Sequence, residues 1–249
     1  MNGNALLARL GTFADLRDDE RALLASLYQN IRSFRPKRQI IREGDRPEDV
    51  HLIVDGWAAR YKMLSGGSRQ IVAFLLPGDF CDLHVAVLGH MDHTIMAVTE
   101  CRVAFIPSAE MDKLTSHNNS LTKALWWGTL VDEAVLRSWV VNGRRDAYQR
   151  IAHLICELHV RLKQIGMVNG DRFDLPLTQE DIADATGLTA VHTNRTLQRL
   201  RADGLIELRG HILTVLDVGE LRAAAGFDAG YLHIERRRRA ASDEPSQIG

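Results

Sequence analysis

The sequence predicts an α+β protein in which a strand-rich roll in the first half is joined by a long helix to a winged helix-turn-helix near the end. Three observations carry that expectation. Glycines recur at Gly44, Gly56, Gly67, Gly78 and Gly89, 12, 11, 11 and 11 residues apart, with short β-rich runs between them. An apolar-rich segment from about Ser120 to Asn142 then keeps helical spacing. A cap, a glycine and a second cap follow between Thr178 and Thr189, trailed by two short β-rich runs.

Composition bounds what such a chain does. Its 249 residues are 45% hydrophobic and 25% charged, which suits one large or two ordinary folded domains. The formal charge of −1 excludes a protein that coats polyanions by bulk positive charge, so any nucleic-acid surface must be local. Three scattered cysteines, Cys81, Cys101 and Cys156, make neither a disulfide framework nor a CxxC metal pair. The opening residues lack a secretory apolar core, and no apolar run reaches about 18 residues, so a cytoplasmic location without a membrane partner is expected.

Taken in order, residues from Asn4 to Ile31 read as short helices, with Leu6, Leu7 and Leu10, then Leu16, Leu23, Leu24 and Leu27, at helical spacing. From Phe34 the regular turns mark a hairpin meander closing into a roll, including the runs Val50–Val54 and Gln70–Leu76. Strands over Thr94–Val98 and Arg102–Ile106 end it, with Pro107 closing the sheet. The roll and its leading helices span 1–118, and a dimerisation helix spans 119–143. Leu121, Leu125, Leu130, Val135 and Trp139 are among that helix's apolar positions. Adjacent Trp126 and Trp127 point about 100° apart, so the helix has two apolar sides, one for its own domain and one for a second subunit.

The run Asn142-Gly143-Arg144-Arg145-Asp146 breaks the pattern, with Gly143 as a stop signal and Asp146 as an N-cap. It marks the domain joint. A third folded part spans 144–222 and opens with a helix over Ala147–Gln164, whose Ile151, Leu154, Ile155, Leu158 and Leu162 share a face. Residues 223–249, with Arg236–Arg239, read as a mobile tail.

The segment from Leu177 to Leu200 carries the function. Thr178 caps a helix, with Asp181 completing a capping box that ordinarily ends in Glu or Gln. Ile182 and Ala185 face inward, and Ala183 is small enough for a second helix to cross closely. Gly187 permits a tight left-handed turn, and Thr189 caps a second helix with Thr193, Leu197 and Leu200 on its inner side. Its outer side carries His192, Asn194, Arg195 and Arg199, with Arg201 at the end. Between Thr189 and Arg201 there are three arginines and no acid. A helix fits the major groove, where Arg bonds guanine and Asn bonds adenine through two atoms each. Runs at 204–208 and 212–215 flank Arg209-Gly210-His211, a hairpin with a basic tip that reads as a wing.

On these residues, and on Ile41-Arg42-Glu43-Gly44, Leu52-Ile53-Val54-Asp55-Gly56, Pro77-Gly78-Asp79-Phe80 and Arg145-Asp146, the chain resembles the CRP/FNR family of bacterial transcription regulators from about Phe34 to Val218. The resemblance implies a cyclic-nucleotide-binding-type β-roll, a long dimerisation helix and a C-terminal winged helix-turn-helix. It further implies a homodimer that binds double-stranded DNA at an inverted-repeat operator, with RNA polymerase as a candidate further partner. Aligning Gly187 places the family's base readers at Ala190, Val191 and Arg195. Only Arg195 keeps the family's arginine, and Val191 stands where an acidic reader is usual. Val191 is suited to a thymine methyl, His192 and Asn194 to added polar contacts. Thr178, Gln179, Thr189 and His211 are expected to meet phosphates.

Cyclic-nucleotide binders of the family hold the ribose with a glutamate and the cyclic phosphate with an arginine-serine pair. Here the cassette Phe80-Cys81-Asp82-Leu83 is one residue short, and His93-Thr94 stands in place of that pair. The effector-pocket candidates are Asp82, Leu83, His93 and Thr94, and neutral imidazole replaces Arg poorly. The chain is therefore expected not to be gated by cAMP and to carry no cofactor, its pocket filled by side chains. Cys81, Asp82, His84, His90 and His93 keep a metal-, haem- or redox-sensing alternative open. An iron–sulfur sensor is excluded, because the family's N-terminal cysteine cluster is missing from residues 1–80. A cupin-type enzyme needs a His-x-His pair that the sequence lacks, so no enzyme is expected. A β-roll dimer adaptor without DNA contact is the alternative of a different class.

Overall fold

In the computed structural model of the protein, residues 5–83 and 88–234 are described, the His117 side chain excepted. His84 and Arg236–Arg239 lie outside them. Two short helices, α1 (Ala5–Leu10) and α2 (Asp18–Ser26), precede the roll. Its strands are β1 (Ile31–Phe34), β2 (Gln39–Ile41), β3 (Asp49–Asp55), β4 (Ala58–Met63), β5 (Arg69–Leu75), β6 (Thr94–Ala97) and β7 (Cys101–Pro107). They form two antiparallel sheets, ordered β1-β7-β3 and β2-β6-β4-β5.

All five evenly spaced glycines turn the chain with φ between +76° and +88°. Gly78 is also a close approach. A Cβ there would lie 2.8 Å from the Ala5 carbonyl carbon, so only glycine lets α1 cross this turn. One core, with Ile53, Leu75, Ile95 and Val103, fills the roll. Another lies under β3 and β7, where Leu6, Leu10, Leu24 and Leu27 meet Leu52, Ile106, Leu121 and Leu125.

Helix α3 (Ser108–His117), which the sequence reading does not separate, follows Pro107, the last residue of β7. The long helix α4 (Asn119–Asn142) has one buried apolar side and one exposed side, the latter mixing apolar residues with the ion pair Glu133–Arg137. Leu121, Ala124, Leu125, Val131, Ala134 and Val135 are buried, while Trp126 is 71% and Val140 77% exposed. Trp127 turns the other way, stacking on Phe13 at 5.8 Å. Trp126, Leu130, Glu133, Arg137 and Val140, four and three residues apart in alternation, form one exposed stripe. Gly143 caps α4 in the ordinary right-handed region, so the break comes from the residues after it, with Asp146 accepting from the Gln149 amide at 2.9 Å. Among the described residues no helix is long and apolar enough to cross a membrane.

Helix α5 (Ala147–Gln164) departs from its expected single buried face. Its side chains from Ile151 to Leu162 are buried almost without interruption, His153, Glu157 and Arg161 included. The reason is its place in the molecule. The remaining elements pack around it: β8 (Arg172–Asp174), α6 (Gln179–Thr186), α7 (Ala190–Ala202), β9 (Ile206–Arg209), β10 (Ile212–Val215) and α8 (Val218–Ala225) on one side, the roll and α4 on the other. One continuous core runs from Trp57, Phe74 and Leu76 of the roll through α5 to Leu197, Leu213 and Leu221. The joint near Asp146 divides the chain but not the core.

The tail expected from 223 needs correction. Residues up to 234 are folded: α8 continues to Ala225, and a 3₁₀ turn (Ala229–Leu232) lies back on α4 and α5. Phe227 and Leu232 are buried there, and the Tyr231 hydroxyl donates to Glu157 Oε2 at 2.7 Å. Apolar residues this sparse lack a periodic signature, which is why the sequence pattern misses them.

A chain of buried charges crosses this core. Arg161 donates to Asp79 Oδ2 at 2.8 Å and to the Phe74 carbonyl at 3.0 Å, and lies 3.4 Å from Glu157 Oε1. Arg9 also pairs with Asp79, and Arg9 and Arg60 each reach Asp132 at 3.3 Å. Glu157 accepts from the Trp139 indole as well, and burial raises its pKa above the ordinary carboxylate value. Removing one member strands a buried charge. Asp79→Ala should therefore cost about 3–5 kcal/mol, read by urea denaturation.

His153 lies parallel to Tyr231 and edge-on to Phe227, with Ser138 Oγ 3.3 Å from its Nε2. Its Nδ1 meets no hydrogen-bond partner among the described residues. Burial, and secondarily Arg145, lowers its pKa from 6.5 to about 4. In the unfolded chain this imidazole takes a proton near pH 6.5, and in the folded one only near pH 4. Its stabilisation is therefore whole above that window and falls as pH drops through it. Between pH 7 and pH 5 the wild type should lose about 2 kcal/mol relative to His153→Phe in urea denaturation at the two pH values.

Candidate nucleic-acid interface

The pair α6–α7 is built as its residues dictate. Thr178 Oγ1 accepts from the Asp181 amide at 3.1 Å, and Asp181 Oδ2 accepts from the Thr178 amide at 3.0 Å, closing the capping box. Helix α6 ends at Gly187, whose φ of +66° is the left-handed turn expected of it. Thr189 then caps α7 by accepting from the His192 amide at 3.2 Å. Ile182 of α6 shares a core with Leu197 and Leu200 of α7, and Ala183 and Thr193 are buried as well. Thr193 is wholly buried and its hydroxyl has no partner among the described residues, a polar group where an aliphatic side chain would cost less.

The opposite side of α7 faces solvent. Val191 is 72% exposed, and His192, Arg195, Arg199 and Arg201 are exposed with it, while Asn194 is half-buried. Arg195 makes no hydrogen bond or ion pair among the described residues, so its five donors are available. Arg199 is otherwise engaged: its guanidinium lies 4.7 Å over the Tyr148 ring and 3.8 Å from Asp203. Tyr148 in turn donates to Asp203 at 2.6 Å, fastening the start of α5 to the end of α7. The wing is present as the hairpin β9–β10, in the sheet β8-β10-β9, with Gly210 at φ +60° and His211 exposed at its tip. Arg209 at the same tip is tied to Glu207 at 2.6 Å. Thr178, Gln179 and Thr189 are exposed near the starts of their helices, the first and third with their hydroxyls occupied in capping.

The effector-pocket candidates are split by the fold. A cleft of about 400 Å³ lies between the roll and α4, lined in part by Leu83 and His93 and, from α4, by Gly128, Thr129 and Asp132. Asp82 is not on it. Its carboxylate is fully buried and accepts from His51 at both the amide and Nδ1, at 2.7 Å each. Thr94 is buried too, its hydroxyl accepting from the Glu43 amide at 3.0 Å. Arg60 faces the cleft but is bound to Asp132 and donates to the Phe80 carbonyl at 2.8 Å. Cys81 is buried and desolvation pushes its thiol well up, which disfavours the thiolate a redox switch needs. Among the described residues no group of three His, Cys, Asp or Glu side chains is placed to hold a metal, and His84 lies outside them.

Residues 31–118 match the cyclic nucleotide-binding domain family, and residues 149–224 the Crp-like helix-turn-helix domain family. The chain is 31% identical over 223 residues to the transcriptional activator protein FnrL of Cereibacter sphaeroides, covering 85% of this chain and 87% of the relative. It is 30% identical over 232 residues to the transcriptional activatory protein AadR of Rhodopseudomonas palustris, covering 90% of each. Among solved structures it is similar to FixK2 from Bradyrhizobium japonicum, with a TM-score of 0.72 at 25% identity over 80% of this chain and 98% of that one.

Proposed function

The chain belongs to the CRP/FNR family of DNA-binding transcription regulators, and on that premise we propose that it acts as a homodimer whose α7 helices enter successive major grooves of an inverted-repeat operator. The observation that carries this reading is the exposed, arginine-bearing side of α7, with Arg195 unengaged and no acid beside it. Arg195 reads guanine, Val191 meets a thymine methyl, and His192 and Asn194 add polar contacts. Gln179, Thr189 and His211 touch phosphates, Thr189 chiefly through its backbone, while Thr178, whose amide and hydroxyl are both engaged with Asp181, serves by starting α6 at the phosphate backbone. Arg199 holds α7 against Tyr148 more than it reads sequence. The exposed apolar side chains Trp126, Leu130, Leu136, Val140 and Val141 on α4 support the dimer, with the ion pair Glu133–Arg137 lying among them. RNA polymerase remains the further partner, met from the DNA-bound dimer in the cytoplasm. The family's members are transcription regulators rather than enzymes, and the same is proposed of this chain.

We also infer that cAMP does not gate the protein. The cations lining the cleft are already paired, Arg9 and Arg60 with Asp132, Arg9 also with Asp79, and Lys62 with Glu43, and His93 offers neither the fixed charge nor the fork that a cyclic phosphate needs. The dimer is competent as folded.

Arg195→Ala should cost about 1–3 kcal/mol on the operator and relax one base preference, measured by gel shift at fixed salt. Equal affinity of variant and parent rejects the assignment. The melting temperature should not move with cAMP in a thermal-shift titration, and a rise of several degrees would overturn the reading of the cleft.

A further inference from the structure

The roll grips the reading head directly. Arg69, the first residue of β5, donates from Nε to Asp184 Oδ2 at 2.7 Å and from Nη2 to Asp181 Oδ1 at 2.8 Å, both on α6. Its neighbour Gln70 donates its side-chain amide to the Asp184 carbonyl at 2.7 Å. The guanidinium is only 20% exposed and the two carboxylates 12% and 29%, so water screens the pairs weakly. Tyr61 of the adjacent strand lies beside the guanidinium, 5.8 Å from ring centre to charge.

The far end of α6 is held by the joint. Arg150 donates to the Thr186 carbonyl at 3.0 Å and to the Gly143 and Arg145 carbonyls at 2.8 Å each. Helix α6 is thus held along its side by the roll, at Asp181 and Asp184, and at its last residue by the joint. Helix α7 crosses α6 through the Gly187 turn and follows its orientation.

Resting on the reading that paired α7 helices bind an inverted repeat, we propose that Arg69 is a positioning residue for DNA recognition. It sets the angle of the reading head on the roll, and so the separation of the two heads in the dimer. The quantity it governs is the preferred spacing between half-sites, not the identity of the bases. The task requires an arginine, since one planar fork reaches two carboxylates where a lysine ammonium serves one.

The test compares wild type, Arg69→Ala, Arg69→Lys and the charge-exchanged pair Arg69→Asp with Asp184→Arg. Each is titrated by gel shift on an inverted repeat selected by the wild type from a random duplex library and on versions with its spacer changed by one or two base pairs, with melting curves as the folding control. Arg69→Ala should lose about fivefold of the wild-type preference for the native spacer, keeping the wild-type ranking of base substitutions within a half-site. Arg69→Lys should fall between, and the exchanged pair should recover part of the preference. An unchanged spacing preference in a folded Arg69→Ala overturns the proposal. Should wild type bind no inverted repeat at any spacing, the DNA reading itself fails, and trypsin cleavage after Arg144 and Arg145 judges the grip. A rise of about fivefold in that cleavage rate in Arg69→Ala supports it, and equal rates overturn it.

Discussion

The arrangement of the molecule depends on one buried ion pair, Arg161 with Asp79, which joins residues 82 apart in sequence. Asp79 belongs to the turn after β5, and its Oδ2 also accepts from the Leu76 amide at 2.8 Å, so the carboxylate is built into that turn. Arg161 belongs to the helix around which the reading head is assembled. A buried pair of this kind stabilises little over well-packed apolar residues, but parting its members is expensive. The orientation in which they meet is therefore favoured over any in which the head swings away. Around them Arg9, Arg60, Asp132 and Glu157 complete a set with as many acids as bases.

This network also explains the character of the cleft. Arg60 and Arg9 reach Asp132 from the roll side and bring α4 against it, so both guanidiniums that face the cleft are engaged in holding the long helix. A fold whose relatives include cyclic-nucleotide binders here uses its interior for structural polar contacts. The aromatic contact of Phe74 with Trp139, 6.0 Å between ring centres, continues the same seam between roll and helix.

Much of this was legible in the residues. The evenly spaced glycines announce the roll because each tight turn needs a backbone conformation that other residues resist. The caps at Thr178 and Thr189 and the bend at Gly187 announce the helix pair because they are local chemistry, settled within four residues. Contacts across the fold were not legible. Nothing beside Asp82 in sequence signals that His51 claims it, and nothing near Arg69 points to α6, more than a hundred residues on. The near-total burial of α5 was missed for a related reason: periodicity reports one apolar face, whereas charged residues on the other faces are buried by partners that the sequence does not place. The folded residues after Ala225 escape a periodic reading because three anchors, Phe227, Tyr231 and Leu232, are too few to form a period.

Asp181 shows how closely separate tasks share atoms. One carboxylate oxygen starts helix α6 by receiving Thr178, and the other receives Arg69. A longer glutamate, the more familiar occupant of such a box, would carry its two oxygens a methylene farther out, and the local and the distant partner would no longer be met from one short stem. The unusual choice of acid is then a signature of double duty. A change at this one position therefore weakens a helix start and a domain anchor in a single step, leaving Thr178 on the Asp181 amide and Arg69 on Asp184 to carry what is left.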